Sequence, residues 1–243
     1  FCELPVTSDI VINEIMLMPG DLPDVTAEWI EIYNAGNKYI DLQGWTIETS
    51  NGDSHVIEKD KAVGGIASLI IYPGAYVVFA RSANQDKNGG FVPSYEYGAA
   101  ISLPDPLETG SDVNYDIVIK DTDGKIIDSV TVDSKSMTLL DGASMELYHP
   151  YADNADAGNW VGAGQNKDPV FNTTYGDGDN DGSPFGQNKS SYTGIPDPNC
   201  AIPPGAHPCA EGRCGLDSNC IFPKKEGCCY DDVDCNDFDD CTL

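Results

Sequence analysis

The sequence predicts an all-β protein: a sandwich or barrel of antiparallel strands, followed by a small, irregular, disulfide-rich C-terminal module. Three observations predict it. Short runs of β-branched and aromatic residues recur between turn signals, the pattern of an all-β domain. Helical periodicity is nearly absent. Eight of the nine cysteines lie in the last 44 residues, and the 197 residues from Glu3 to Asn199 contain none. The cysteine-free part, in a chain that is 40% hydrophobic, can bury a core of its own. The tail is too short and too polar for that and needs cross-links.

Four segments follow from this pattern. Residues 1–8 read as an irregular N-terminal segment, 9–190 as the sandwich, 191–199 as a linker stiffened by Pro196 and Pro198, and 200–243 as an acidic cysteine-rich module. Within the sandwich, Ile10-Val11-Ile12 opens the first extended segment. Strands are expected at Glu28 to Tyr33, Ile40 to Ile47, Ala75 to Ala80, Tyr115 to Lys120, Lys125 to Val132 and Ser144 to Tyr148. Asn51-Gly52 and Asp123-Gly124 suit type I′ hairpin turns, where both central residues need positive φ. Pro73-Gly74 and Asp141-Gly142 punctuate other connections. Residues 82–114, rich in Asn, Gly, Pro and Asp, read as one long loop carrying Tyr95 and Tyr97, and long loops in compact domains are often contact surfaces. Trp29, Trp45 and Trp160 are expected in the core, as tryptophans of sandwiches commonly are.

These residues also resemble a known family. Ile12-Asn13-Glu14-Ile15-Met16, Glu28-Trp29-Ile30-Glu31-Ile32-Tyr33-Asn34 and Ile40-Asp41-Leu42-Gln43-Gly44-Trp45-Thr46-Ile47 look like the start of a lamin-tail domain of the secreted prokaryotic type. The series continues with Tyr72 to Ala80, Ile119 to Val130, Gly142 to Leu147, Asn159-Trp160 and the closing Gly182-Ser183-Pro184-Phe185-Gly186-Gln187-Asn188. It covers roughly residues 9 to 188. The resemblance implies an immunoglobulin-like β-sandwich without a catalytic site. Members occur in nuclear lamins and, in prokaryotes, beside secreted nucleases, hydrolases and surface-anchoring segments. The long 82–114 segment departs from the typical member.

Composition narrows the function. Forty acids against thirteen bases give a net charge of -27. Such a chain repels nucleic-acid phosphates and anionic membrane surfaces, because affinity for both rests on Lys and Arg. No run of about 18 apolar residues exists to insert into a membrane. The clustered cysteines point to an oxidising compartment, extracellular or at the cell surface. A removed leader is expected before Phe1. The Cys-x5-Cys-x5-Cys spacing of Cys229, Cys235 and Cys241 resembles the acidic cysteine-rich repeats of bacterial surface proteins, which continue with another cysteine, so the natural chain is expected to run beyond Leu243.

Two acidic clusters suit a hard cation. Asp177, Asp179 and Asp181 alternate in Asp177-Gly178-Asp179-Asn180-Asp181-Gly182 like the first half of an EF-hand loop. The twelfth position is Asn188 instead of the bidentate Glu, which excludes a true EF-hand. Asp232, Asp234 and Asn236 alternate similarly between cysteines. Ca²⁺ is expected there, with weak affinity on the order of 10⁻⁴ M. Solvated acidic linkers are the alternative reading. Cys200, Cys209, Cys214, Cys220, Cys228, Cys229, Cys235 and Cys241 read as a disulfide framework. Zinc is disfavoured, since there are no Cys-x2-Cys knuckles and His207 stands alone. Cys2 is left as the odd cysteine, able to bridge to the tail or to another subunit. Asn172 and Asn188 fit the N-glycosylation pattern.

Catalysis has no motif: His55, His149 and His207 are isolated, and Glu28 and Glu31, three apart on a strand, point to opposite faces. The expectation is a secreted, non-enzymatic structural or adhesive cell-surface protein, self-associating through Cys2 and the N-terminal segment into a filament or layer. The alternative is an accessory or carbohydrate-binding module of a larger secreted hydrolase, with Tyr95 and Tyr97 as its site.

Overall fold

The computed structural model describes residues 8–20, 22–65, 69–105, 112–148, 150, 152–163, 174–175, 180–186 and 188, together with the backbone of 195–196, 213–214 and 220–221. The chain divides into two compact units, Val6–Ser191 and a second made of Phe1–Pro5 with Tyr192–Leu243.

The larger unit is an all-β sandwich. Its strands are β1 (Ile10–Met16), β2 (Trp29–Asn34), β3 (Ile40–Asp41), β4 (Thr46–Thr49), β5 (Ser54–Val56), β6 (Ile70–Ile71), β7 (Tyr76–Ala80), β8 (Tyr95–Glu96), β9 (Asn114–Lys120), β10 (Ile126–Asp133), β11 (Met145–Leu147), β12 (Trp160–Gly162), β13 (Thr174–Tyr175) and β14 (Asn180–Asp181). One sheet runs β12-β11-β1-β2-β7-β8 and the other β10-β9-β4-β5, with β3-β6 and β13-β14 as two-stranded additions. Pairing is antiparallel except between β7 and β8. Ile12, Ile15, Ile30, Ile32, Phe79 and Leu147 of the first sheet share one buried cluster with Ile47, Ile117, Ile119, Val130 and Val132 of the second. β9 and β10 alternate buried and exposed residues, as a sheet with one solvated face should. β1 does not: all seven of its residues are buried. Its sheet is therefore covered on both faces. On the outer side Met16, Trp29, Val78 and Ala80 form a second small cluster with Phe91 and Tyr175 against it.

Several expectations are refined. The single strand expected from Ile40 to Ile47 is two, β3 and β4. Gly44 takes φ 80°, and the Trp45 N–H donates to the Leu42 carbonyl across a tight turn. The Asn-Gly and Asp-Gly turns are not type I′. Gly52 and Gly124 have φ 97° and 78°, but Phe185 is the only non-glycine with positive φ among the described residues. Each turn closes with the glycine N–H on a carbonyl three residues back, from Gly52 to Thr49 and from Gly124 to Asp121. This is the three-residue hairpin with a left-handed glycine. Residues 82–114 are not a plain loop, since Tyr95–Glu96 extends the first sheet as β8. Trp29 and Trp160 are buried and Trp45 is half-buried against the core. Among the described residues no helix is long and apolar enough to cross a membrane.

In the smaller unit, β15 (Ile195–Pro196), β16 (Arg213–Cys214) and β17 (Cys220–Ile221) pair antiparallel, with Cys214 and Cys220 directly opposite one another in the register.

Candidate functional site: a sealed row of carboxyl groups

A bulge in β1 builds the site. Ile12 pairs with Ile32, yet Glu14 pairs with Glu31, so two steps along β1 match one step along β2. In a regular pleat Glu14, two residues on from Ile12, would turn to the same inner face as Ile12. A bulge re-aims the residue that follows it, and here it puts Glu14 on the outer face beside Glu31. Glu14 also pairs with Glu146 of β11. Glu146, Glu14 and Glu31 thus form one cross-strand row over three adjacent strands, each at or near 0% exposure. Neighbouring strands lie about 4.8 Å apart, and like charges directly opposite one another destabilise a sheet.

Residues 180–186 and Asn188 close over this row. The Ser183 N–H donates to Glu14 Oε1 at 2.8 Å, and the Ser144 hydroxyl reaches the same oxygen at 2.6 Å. Ser183 Oγ stands 3.0 Å from Glu14 Oε2, 3.1 Å from Glu146 Oε1 and 3.4 Å from Asn188 Oδ1. The Phe185 N–H donates to Glu31 Oε2 at 2.6 Å, and Asn13 Nδ2 to Glu31 Oε1 at 2.9 Å. Asn188 locks the end of the segment. Its Nδ2 donates to the carbonyls of Asn13 and Leu147, and its Oδ1 accepts from Asn13 Nδ2. Gly182 is required by this approach: a Cβ there would sit 3.0 Å from Ser144 Oγ and 3.1 Å from Glu14 Oε1.

Burial sets the electrostatics. Loss of water pushes the Glu14 carboxyl up to about 8, with Glu146 adding to the rise and the bonds from Ser144 and Ser183 opposing it. Burial, then Glu14, holds Glu31 well above the ordinary carboxylate range. Glu14 and Glu31 can therefore retain protons at neutral pH. The row offers no route to a substrate, because all three acids lie beneath the chain's own segment. Among the described residues no group of three or more His, Cys, Asp or Glu is arranged to hold a metal ion.

Two further buried acids support the frame. Asp128 of β10 accepts from the Ile12 N–H at 2.6 Å and from Asn154 Nδ2 at 2.7 Å, and burial pushes it up to about 6. Glu28 meets Arg81 Nη1 at 2.7 Å, yet burial outweighs that cation and pushes the carboxyl up to about 7. Glu28 and Glu31 do serve opposite faces, as their spacing predicts.

The sequence-predicted sites fall as follows. Asp177, Asp179, Asp232, Asp234, Asn236, Cys2, Cys200, Cys209, Cys228, Cys229, Cys235, Cys241 and Asn172 lie outside the described residues. Asp181 is half-buried in β14, where its N–H donates to the Gly142 carbonyl and its carbonyl accepts from the Ser144 N–H. Asn188 is corrected as a glycosylation acceptor: it is buried, and its amide nitrogen is bonded to two backbone carbonyls. Tyr95 and Tyr97 are corrected as a sugar-binding surface. Both are buried, Tyr95 bonding His55 Nε2 and Tyr97 donating to the Glu28 carbonyl. The carboxyl row itself escaped motif reasoning. Its signal was an acid inside each of three apolar strand runs, at Glu14, Glu31 and Glu146.

No curated protein matches the chain. A family model described as the lamin tail domain matches residues 4–134, more than half of the 243. Together with the sandwich described above, this match shows that the chain belongs to the lamin tail domain family.

Proposed function

We propose that this is a secreted, non-catalytic structural or adhesive protein of the cell surface. Its lamin-tail sandwich is the rigid module, its cysteine-rich tail is cross-linked by disulfides and by weakly bound Ca²⁺ at Asp177, Asp179 and Asp181 and at Asp232, Asp234 and Asn236, and copies associate through Cys2 and the N-terminal segment into an extracellular filament or layer. One observation carries the non-catalytic part. The titratable groups that converge in the sandwich are enclosed and bonded to the chain's own backbone, so they serve cohesion. Lamin tail domains are immunoglobulin-like structural modules, which is compatible with this role. The clustered cysteines and the charge of -27 favour an oxidising exterior and cation-dependent contacts.

Gel electrophoresis under reducing and non-reducing conditions, with and without a chelator, tests the assembly. Multimers that collapse on reduction, and that loosen with chelator under native conditions, are expected. A monomer under every condition, with no particles larger than a monomer in native sedimentation, overturns it.

A further inference from the structure

The chain holds two Asn-Gly pairs, Asn51-Gly52 and Asn88-Gly89. In such a pair the glycine nitrogen can reach the asparagine side-chain carbonyl, because glycine has no Cβ to obstruct the approach and few limits on backbone rotation. The two pairs stand in opposite surroundings. Asn88 is fully buried. Its Nδ2 donates to the carbonyls of Ser82 at 2.9 Å and Phe91 at 3.0 Å, and its Oδ1 accepts from the Gly90 N–H at 3.2 Å. Gly89 lies under the Tyr175 ring, so close that a Cβ there would stand 2.7 Å from it. Neither the amide nor the backbone at this pair has room to turn.

Asn51 and Gly52 are exposed at the tip of the β4–β5 hairpin. A Cβ on Gly52 would meet nothing within 4 Å, so the backbone there is open. The Asn51 amide is meanwhile held in a reactive setting. Its Oδ1 accepts from the Thr49 hydroxyl at 2.5 Å and from the Asp53 N–H at 3.1 Å. These two donors are aimed at the oxygen on which charge builds when the carbonyl is attacked. Nδ2, the nitrogen that would leave, donates to Asp53 Oδ2 at 3.2 Å. The glycine nitrogen is restrained by the bond from its N–H to the Thr49 carbonyl at 3.1 Å, which must open for the attack.

We propose that Asn51 is a self-modification site, converted in the folded protein to aspartate and isoaspartate with water as the only co-reactant, while Asn88 in the same dipeptide stays intact. The Gly52 nitrogen gives its proton to solvent and bonds to Asn51 Cγ. The Cγ–Nδ2 bond breaks, and the nitrogen takes up a solvent proton and leaves as ammonia. One water then opens the cyclic imide. Attack at Cγ restores the ordinary main chain with aspartate at 51, and attack at the main-chain carbonyl carbon leaves the chain running through the side chain as isoaspartate. One water enters in all, one ammonia leaves, and nothing is oxidised or reduced. Either product sets a second carboxylate beside Asp53, whose Oδ2 holds the Ser102 N–H at 3.0 Å. Isoaspartate also lengthens the connection that the bond from the Thr49 N–H to the Asp53 carbonyl closes at 3.0 Å. β5 is three residues long and lies at the end of its sheet, paired with β4, so the conversion loosens that edge.

Incubation of the folded full chain at pH 8 in water enriched in heavy oxygen tests the site. Digestion and peptide mass spectrometry follow in ordinary water, so that only conversion in the folded chain carries the label. The peptide containing Asn51 is expected to lose its amide nitrogen, gain one heavy oxygen and separate into aspartate and isoaspartate forms, while the Asn88 peptide stays unlabelled. Thr49→Val keeps the side-chain shape but removes one donor to Oδ1, and should slow the conversion about tenfold, less than such a donor is worth in an enclosed active site. Thr49→Ser keeps the hydroxyl and should convert at close to the wild-type rate. Three results overturn the proposal: Asn51 unlabelled after a synthetic peptide of residues 47–57 has converted fully, Asn88 labelled in step with Asn51, or a folded Thr49→Val variant that converts as fast as the wild-type chain. If Thr49→Val does not fold, the contrast between the two asparagines of the wild-type chain decides.

Discussion

Replacing Asn188 by Ala should destabilise the sandwich far more than its place near the end of the domain suggests. The side chain makes three buried hydrogen bonds: Nδ2 to the Leu147 carbonyl at 2.7 Å, Nδ2 to the Asn13 carbonyl at 2.9 Å, and Oδ1 from Asn13 Nδ2 at 2.9 Å. At about 1 kcal/mol for each net bond the loss is about 3 kcal/mol, and partner groups left without water raise it to about 4 kcal/mol. A domain of this size loses about 2–4 °C of melting temperature per kcal/mol. The expected fall is therefore about 8–16 °C, read by scanning calorimetry of the full chain and checked by the urea midpoint. A fall of under about 2 °C would refute the reasoning, because it would mean that the segment does not hold β1 and β11 together. Asn188→Asp separates the chemistry further. It keeps the shape but replaces the donor Nδ2 by an oxygen facing the Asn13 and Leu147 carbonyls, so it should be as damaging as Ala at pH 8 and milder at pH 5. The same burial predicts that secretion from a glycosylating host leaves Asn188 unmodified, and a glycan found there by mass spectrometry would show the amide to be free.

Other perturbations probe the remaining buried acids. Asp128, Glu28 and Glu14 are raised to about 6, 7 and 8 by burial. Folded-state values above the unfolded ones give stability that is complete below about pH 4 and lost as pH rises through each folded value. The unfolding free energy from urea titration should accordingly fall between pH 5 and pH 8.5, by up to about 1.4 kcal/mol per pH unit for each proton held, and a stability that rises over that range contradicts the burial argument. Arg81→Met leaves Glu28 without its cation, and should cost about 3 kcal/mol at pH 8 but much less at pH 5, where the acid is neutral; an equal cost at both values would mean that Arg81 acts through packing alone. Gly182→Ala drives a methyl to within 3.1 Å of Ser144 Oγ, Glu14 Oε1 and the Tyr175 ring. It should destabilise by about 1–3 kcal/mol, whereas a variant as stable as wild type would show that the segment can ride higher on the sheet.

The fold was legible because its strands obey local rules. In β9 and β10 buried and exposed residues alternate, and Gly124 closes the hairpin between them. The hairpin's place could be read from Asp123-Gly124, but not its turn type, since an isolated dipeptide does not say whether one or both residues take positive φ. The carboxyl row was hidden for a different reason. Glu14, Glu31 and Glu146 are 17 and 115 residues apart in the chain, and only the register of three strands brings them into one line. Even with that register known, the bulge at Asn13 decides the face, and a bulge leaves no trace in composition or periodicity. Asn188 misled for a related reason. The glycosylation pattern reads three residues, whereas access to the amide depends on Asn13 and Leu147, at the other end of the sequence and on another strand.

The row also explains why β1 can be buried along its whole length and still keep one register. A strand flanked on both faces by apolar residues gains little from any particular alignment, because a one-residue slip exchanges one greasy face for another. Glu14 removes that degeneracy. A slip of β1 against β2 would turn its carboxyl toward Ile30 and Ile32 in the inner cluster, where neither Ser183 nor Asn188 can reach it. An unsatisfied buried acid costs several kcal/mol even when it is protonated. In the observed register the same carboxyl has Ser144, the Ser183 backbone and the Ser183 hydroxyl within 3.0 Å. The segment that satisfies it comes from some 170 residues later in the chain, so the register of the first strand is completed only when the last part of the domain has docked.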